Sequence, residues 1–225
     1  MSSASVWLWL QYIALASELW VLLAGTWFYK RINKDTQPFY FFFFYVVLEE
    51  SFESILAMGY GIHNLWWMNI YQLTETVFFT WIFNSWLFGR KGRWWYFLLW
   101  LIFGSYWIYS TFYLHSISKM NAFARTVECI MVSVSAAVIL IRLSKRLDIP
   151  LFQNPRFWIA SGAMLYFSYS VLVFAIFQVI ANNNYVVSLI QPVWNVHSVI
   201  NIFSNLLYSI AFMCPKKPFA FPHRK

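Results

Sequence analysis

Residues 38–60 read PFYFFFFYVVLEESFESILAMGY, a run of mostly apolar residues with three glutamates, Glu49, Glu50 and Glu53, near its middle. We call these three residues the acidic cluster. The run is long enough to cross a bilayer, because a transmembrane helix needs about 20 predominantly apolar residues. Pro38 suits the first turn of a helix, where a missing N–H costs no hydrogen bond. We therefore expect a membrane-spanning helix over residues 38–60.

The composition of the whole chain agrees with a membrane protein. Its 225 residues are 61% hydrophobic and 23% aromatic but only 11% charged, and the mean hydropathy is +0.57. A soluble domain carries roughly 25% charged residues, which cover its water-facing surface. This chain has too few charges for such a surface. A soluble enzyme and a nucleic-acid-binding domain are therefore not expected, and the lipid bilayer is the expected partner.

Apolar runs of similar length follow one another along the sequence, and the breaks between them are short. We predict an all-α fold in which residues 1–225 form a single domain, a bundle of seven transmembrane helices. The predicted spans are Val6–Tyr29, Pro38–Tyr60, Trp66–Phe88, Trp94–His115, Ala122–Ile141, Pro155–Ile180 and Val187–Met213.

Basic residues set the predicted orientation, because cytoplasmic loops hold an excess of lysine and arginine. When the loops alternate between the two sides, 14 of the 16 basic residues fall on one side, and only Lys119 and Arg125 fall on the other. The N-terminus is thus expected outside and the C-terminus in the cytoplasm. We expect a multi-pass protein of a cell membrane, the inner membrane in a bacterium.

Six of the eight acidic residues fall inside the predicted spans: Glu18, Glu49, Glu50, Glu53, Glu75 and Glu128. One charge at a helix centre costs roughly 2.5–3.5 kcal/mol on insertion scales. The spans contain no lysine, and the arginine expected nearest to these carboxyls is Arg125, at the outer end of the fifth span. Most of the carboxyls must therefore be protonated, hydrogen-bonded to neutral groups, in a water-filled cavity, or bound to a cation.

Polar residues at helical spacing indicate where these carboxyls meet. Stripes on spans one, two, three and seven lie at similar depth, because residues three and four apart share a helix face. They can converge on one polar cavity in the outer half of the bundle. The predicted ligand-, proton- or cation-binding residues are Glu18, Glu49, Glu50, Glu53, Gln72, Glu75, His197 and Asn201. No catalytic residue is assigned.

Some of these polar residues have a structural interpretation. Asn201, Asn205 and Ser209 are more typical of hydrogen bonds between membrane helices than of a binding site. Glu128 and Arg125, one turn apart, are interpreted as a structural ion pair at the rim. The acidic cluster has no comparable explanation, so we favour a functional role for it.

The residue types leave the chemistry of the site open. A divalent metal is one alternative, with Glu50, Glu53 and His197 as candidate ligands, although no cofactor is certain and no nucleophile motif is present. Retinal is excluded, because its attachment needs a lysine in the last span and Val187–Met213 contains none.

Two short motifs resemble an uncharacterised group of bacterial seven-helix membrane proteins. One is Asn-Ile-Tyr at residues 69–71 followed by Glu75, and the other is Asn-Pro-Arg-Phe-Trp at residues 154–158. That group occurs alone or as the membrane part ahead of histidine kinases, and it carries no catalytic residues to transfer. This sequence ends about a dozen residues after the last predicted span. If it senses a ligand, we expect it to signal through a partner protein or as a homo-oligomer.

Three functions follow from these features. The favoured one is a receptor-like sensor or small-ligand-binding membrane protein that holds a small cationic or protonatable ligand in the outer cavity. The first alternative is a metal-dependent intramembrane enzyme that modifies lipids, with the glutamates as acid–base groups or metal ligands. The second is a proton or cation carrier, since embedded carboxyls often form proton relays.

The predicted orientation can be checked with a reporter enzyme that is active only in the cytoplasm. A fusion after Lys225 should be active and a fusion before Met1 should be inactive, because positively charged loops stay on the cytoplasmic side. The reverse result would contradict the topology, since 14 of the 16 basic residues would then lie outside.

Overall fold

The computed structural model describes residues 3–60, 65–89, 93–114, 121–145, 150–183 and 190–215. Within these ranges the chain is helical and contains no β-strand, so the all-α prediction is confirmed. The helices are α1 (Ser3–Trp27), α2 (Gln37–Tyr60), α3 (Leu65–Phe88), α4 (Arg93–Tyr109), α5 (Ala122–Ser144), α6 (Pro155–Asn183) and α7 (Ile190–Met213).

Each predicted span overlaps one of these helices, and the bounds agree within three residues except at the end of α4, which lies at Tyr109 instead of His115. That helix passes into a π-helical turn, Ser110–Leu114. His115, Lys119 and residues 187–189 of the last predicted span lie outside the described ranges. The starts of α5 and α6 are capped by asparagine side chains: Asn121 Oδ1 accepts from the Ala124 N–H at 3.1 Å, and Asn154 Oδ1 accepts from the Arg156 N–H at 3.0 Å.

Among the residues that the structure describes, three helices are long and apolar enough to cross a membrane: Ala122–Ser144, Pro155–Ile176 and Pro192–Met213. They support the membrane class that the composition predicts. Helix α2 carries the three glutamates of the acidic cluster, and α4 has only 17 residues.

Six helices form a closed ring in which each contacts its two neighbours. The order around the ring is α1, α2, α3, α5, α6 and α7, and α7 returns to α1. Helix α4 packs outside the ring, where Phe103 and Trp107 contact α3 and α5 through a small cluster with Leu73 and Ala124. Most of its remaining surface is exposed and apolar, as expected of a helix that faces lipid.

One end of the ring, which we call the basic end, holds Lys30, Arg31, Arg142, Lys145 and Arg156. Here Arg156 Nε donates to Asp35 Oδ2 at 2.7 Å, and Trp86 Nε1 donates to the Asp35 carbonyl at 3.2 Å. These bonds join the α1–α2 connection to the start of α6 and the end of α3.

The ring interior next to the basic end is filled by aromatic side chains, which we call the aromatic core. Phe39, Phe83, Phe167 and Phe212 are each less than 2% exposed. Phe39 contacts Tyr208 with ring centroids 4.9 Å apart, in an edge-to-face arrangement that aromatic pairs favour.

Gly162 marks a close approach of α6 to α7. A β-carbon at this position would lie 2.6 Å from Cε1 of Tyr208 and 3.1 Å from the backbone oxygen of Ser204. The Tyr208 ring is buried within the aromatic core, so it has little room to move away. The small size of glycine is therefore required here for packing.

Gly162→Ala should lower the free energy of unfolding by about 1–3 kcal/mol, as overpacking does, and this is measured by thermal denaturation in detergent. The matched control is Gly104→Ala in α4, because, apart from the adjacent residues and backbone of the same helix, no described atom lies within 4 Å of its added β-carbon. That variant should be neutral or more stable, since alanine favours a helix over glycine by about 1 kcal/mol. Equal melting temperatures for the two variants would contradict the close packing of α6 on α7.

Candidate functional site

A cavity of about 220 Å³ lies inside the helix ring, on the side of the aromatic core away from the basic end. All six ring helices contribute to its wall. The eight site residues predicted from the sequence all line it: Glu18, Glu49, Glu50, Glu53, Gln72, Glu75, His197 and Asn201. The structure therefore brings the polar stripes of α1, α2, α3 and α7 to one place.

Hydrogen bonds between α1 and α7 form one wall of the cavity. Asn201 Nδ2 donates to Glu18 Oε1 at 2.8 Å, and Asn205 Nδ2 donates to Ser17 Oγ at 2.9 Å. Ser209 donates instead to the Asn205 carbonyl of its own helix, at 2.9 Å. The prediction of hydrogen bonds between helices is thus confirmed for Asn201 and Asn205. The bond from Asn201 also orients the Glu18 carboxylate in the cavity wall.

Arg125 occupies a different place from the one predicted. Its guanidinium is buried, contacts Glu75, and donates to Glu128 Oε2 at 2.9 Å. Glu128 is 0% exposed, and Arg125 lines the cavity. The predicted ion pair of Arg125 and Glu128 is therefore confirmed, but its place at the rim is wrong: with Glu75 the two residues form a buried ion triad between α3 and α5.

The depth of this triad follows from how α5 begins. Asn121, the residue before α5, is 1% exposed, and its backbone N–H donates to Asn69 Oδ1 at 3.3 Å. Its side-chain Nδ2 also donates to Thr111 Oγ1 at 3.1 Å. The first turn of α5 is therefore enclosed by α3 and the end of α4, and Arg125 projects into the protein rather than into solvent.

Sequence reasoning omitted Arg125 from the candidate site. The available signal is that Arg125 is the arginine expected nearest to the embedded acids. An arginine so placed is strongly favoured to pair with carboxylates, because an unpaired charge inside a bilayer is costly.

Four cavity residues carry buried polar atoms that have no hydrogen-bond partner within the described part of the chain. These atoms are Glu18 Oε2, Glu49 Oε1, Gln72 Nε2 and His197 Nδ1. Each residue is at most 9% exposed. An unsatisfied buried polar group costs about 1–3 kcal/mol. Four such groups on four helices therefore give this cavity a polar wall whose hydrogen bonds are not all made within the described part of the chain.

The cavity also has an excess of acidic groups. Arg125 compensates Glu75, but within the described ranges no lysine or arginine forms a salt bridge with Glu18 or with the acidic cluster. Glu18, Glu49 and Glu50 line the same cavity. Because like charges that share one site repel each other, protonation or a bound cation would stabilise the cavity.

His197 lies among aromatic rings. Its ring centroid is 5.2 Å from that of Tyr166, 5.3 Å from that of Trp194 and 6.3 Å from that of Phe174. The described residues contain no group of three or more His, Cys, Asp or Glu side chains placed to hold one metal ion. A metal site at Glu50, Glu53 and His197 stays a prediction.

The residues of both sequence motifs make contacts between structural elements. In the first motif Asn69 binds the start of α5, and the Tyr71 hydroxyl donates to Glu75 Oε1 at 3.4 Å. In the second, Asn154 caps α6 and Arg156 pairs with Asp35. Both motifs therefore have roles in holding the ring together.

The fold and the cavity define a class, the helical membrane proteins with a carboxylate-lined interior cavity. No family model, curated protein or solved structure matches this chain. The resemblance to bacterial seven-helix proteins stays an expectation that rests on the two motifs.

Arg125→Leu should lower the free energy of unfolding by about 3–5 kcal/mol, because it leaves Glu75 and Glu128 buried without their cation. Thermal denaturation of the purified protein measures the loss. Adding Glu75→Gln and Glu128→Gln to this variant should restore most of the stability, since the carboxylates are removed together with their partner.

The matched control for this prediction is Arg142→Leu. Arg142 donates from Nη1 to the Leu87 carbonyl at the basic end and pairs with no buried carboxylate among the described residues. Its loss should cost about 1 kcal/mol, the net contribution of a typical hydrogen bond. If the Arg125→Leu and Arg142→Leu proteins had the same melting temperature, the buried ion triad would not stabilise the fold.

Proposed function

We propose that this protein is a receptor-like, small-ligand-binding protein of a cell membrane, and that it acts through a partner protein. It spans the membrane seven times, with its N-terminus outside and its C-terminus in the cytoplasm. The observation that carries the proposal is the convergence of unpartnered, buried polar atoms from α1, α2, α3 and α7 on one cavity.

The position of the basic end supports the orientation. Its five basic residues and the carboxylate-lined cavity lie on opposite sides of the aromatic core. Because positively charged ends stay in the cytoplasm, the cavity belongs to the outer half of the bundle. A ligand outside the cell is then closest to the site, and the basic end is available to a cytoplasmic or membrane partner.

The aromatic core favours a binding protein over a carrier. A proton or cation carrier needs a polar route from the cavity to the basic end. The largest fully buried side chains on that route include Phe39, Phe83 and Phe212, which offer neither charge nor hydrogen bonds to an ion.

The closed helix ring favours a water-soluble ligand over a lipid substrate. Each ring helix contacts both of its neighbours, so the cavity is separated from the surrounding lipid by packed helices. A lipid-modifying enzyme needs a gap between helices through which an acyl chain can pass.

Solvent access to the cavity tests this proposal. In a Cys129→Ala background, Gln72→Cys should react with a membrane-impermeant, cationic methanethiosulfonate reagent added outside intact cells. An anionic methanethiosulfonate reagent of similar size should react more slowly, because the acidic wall of the cavity attracts cations and repels anions.

Ala163→Cys provides the matched control. Ala163 is 0% exposed and packs within the aromatic core rather than at the cavity, so its thiol should stay unmodified. Protection of Gln72→Cys to the same degree as Ala163→Cys would contradict an accessible site, and the polar groups would then be structural.

A further inference from the structure

We propose that the ligand of this cavity is a small primary amine in its ammonium form, with an apolar body about the size of benzene. The inference rests on the proposed function, because it names the ligand class of the same site. Three observations support it: the kind of unpartnered atoms on the wall, the uncompensated carboxyls, and the size and apolar part of the cavity.

The unpartnered atoms on α1 and α2 are hydrogen-bond acceptors. Glu18 Oε2 and Glu49 Oε1 are both buried and lack a donor within the described part of the chain. A primary ammonium carries three N–H donors and no acceptor, so one such group in the cavity has enough donors for both oxygens. Hydrogen bonds between an ammonium and a carboxylate are roughly twice as strong as neutral ones.

The charge of the cavity favours a cation that brings its own donors. Glu18 already receives one hydrogen bond from Asn201, at 2.8 Å, so the helix packing holds its carboxylate in place for a ligand. A buried ionic interaction is favourable when the remaining lone pairs are also satisfied. The Asn201 bond meets part of this requirement before any ligand arrives.

A metal ion fits the described residues less well than an ammonium. A structural divalent cation binds through several converging side chains, and Ca²⁺ takes about six to eight oxygen ligands. The described residues hold no group of three or more acidic, histidine or cysteine side chains placed around one point. An ammonium needs only the two acceptors that are present.

The size of the cavity and its apolar wall define the rest of the ligand. Its volume is about 220 Å³, whereas an apolar cavity of about 150 Å³ holds one benzene molecule. Phe42, Phe43, Val46, Phe79 and Phe174 line it beside the carboxyls. A benzene-sized body therefore fits against these side chains while a short arm carries the ammonium to Glu18 and Glu49. The faces of the aromatic rings also attract a cation.

The test uses 2-phenylethylamine hydrochloride and the purified full-length protein in detergent, at constant ionic strength. The melting temperature should rise with the concentration of this amine and saturate, because a ligand that binds only the folded state stabilises it. The neutral isostere 2-phenylethanol should give no such rise. Trimethyl(2-phenylethyl)ammonium, which keeps the charge but has no N–H donor, should bind at least about tenfold more weakly.

Variants then identify the binding groups. By titration calorimetry, Glu18→Gln and Glu49→Gln should each weaken the binding of 2-phenylethylamine at least about tenfold, which is the loss of a charge-assisted hydrogen bond. Asp35→Asn is the matched control: it also removes a carboxylate, but Asp35 lies at the basic end beside Arg156. The affinity of the Asp35→Asn variant for 2-phenylethylamine should equal that of the parent protein. If a glutamine variant does not fold, the comparison of the three probes on the parent protein still decides the inference.

Several results would overturn the inference and leave the proposed function standing. Equal stabilisation by 2-phenylethanol would show an apolar site without ammonium recognition. Stabilisation by CaCl₂ or ZnCl₂ alone, lost in Glu49→Gln, would show a metal site. No response to the amine, in a protein whose Gln72→Cys form is labelled from outside, would exclude this ligand class. No response together with no labelling would overturn both proposals.

Discussion

The burial of carboxyl groups inside a ring of helices is the constraint on which the rest of this structure depends. Carboxyls facing lipid would be too costly, so α1, α2, α3 and α7 turn these groups inward and leave apolar residues outside. The interior then has to supply donors, a cation or an occupant. Asn201 supplies a donor to Glu18, and Arg125 supplies a cation to Glu75 and Glu128.

Arg125 divides the embedded acids into two sets with different roles. Glu75 and Glu128 are compensated by its guanidinium and hold α3 against α5. Glu18 and the acidic cluster have no such partner among the described residues and line the cavity. Arg125 thus compensates the two carboxylates between α3 and α5, and the other carboxyls are the ones that the proposed ligand would contact.

The two halves of the ring meet different physical requirements. The half next to the basic end is packed with aromatic side chains, which fix the helices relative to one another. The other half keeps a cavity, and its polar groups are not all paired. Buried polar groups without hydrogen-bond partners lower the stability of the fold. Proteins commonly retain such groups at functional sites, where activity requires them. A polar cavity held by a rigid base is the arrangement that the proposed receptor-like function requires.

The sequence by itself determined the helices and most of the site. Apolar runs and residues at spacings of three and four are local properties, so they indicate the helices and place Glu18, Glu49, Gln72 and His197 on inward-facing stripes. The ring order, the position of α4 outside it and the depth of Arg125 depend on contacts between distant residues. The Asn69–Asn121 and Glu75–Arg125 contacts join positions about 50 residues apart. Only the tertiary structure decided these features, because the energy of a buried charge depends on which helices surround it.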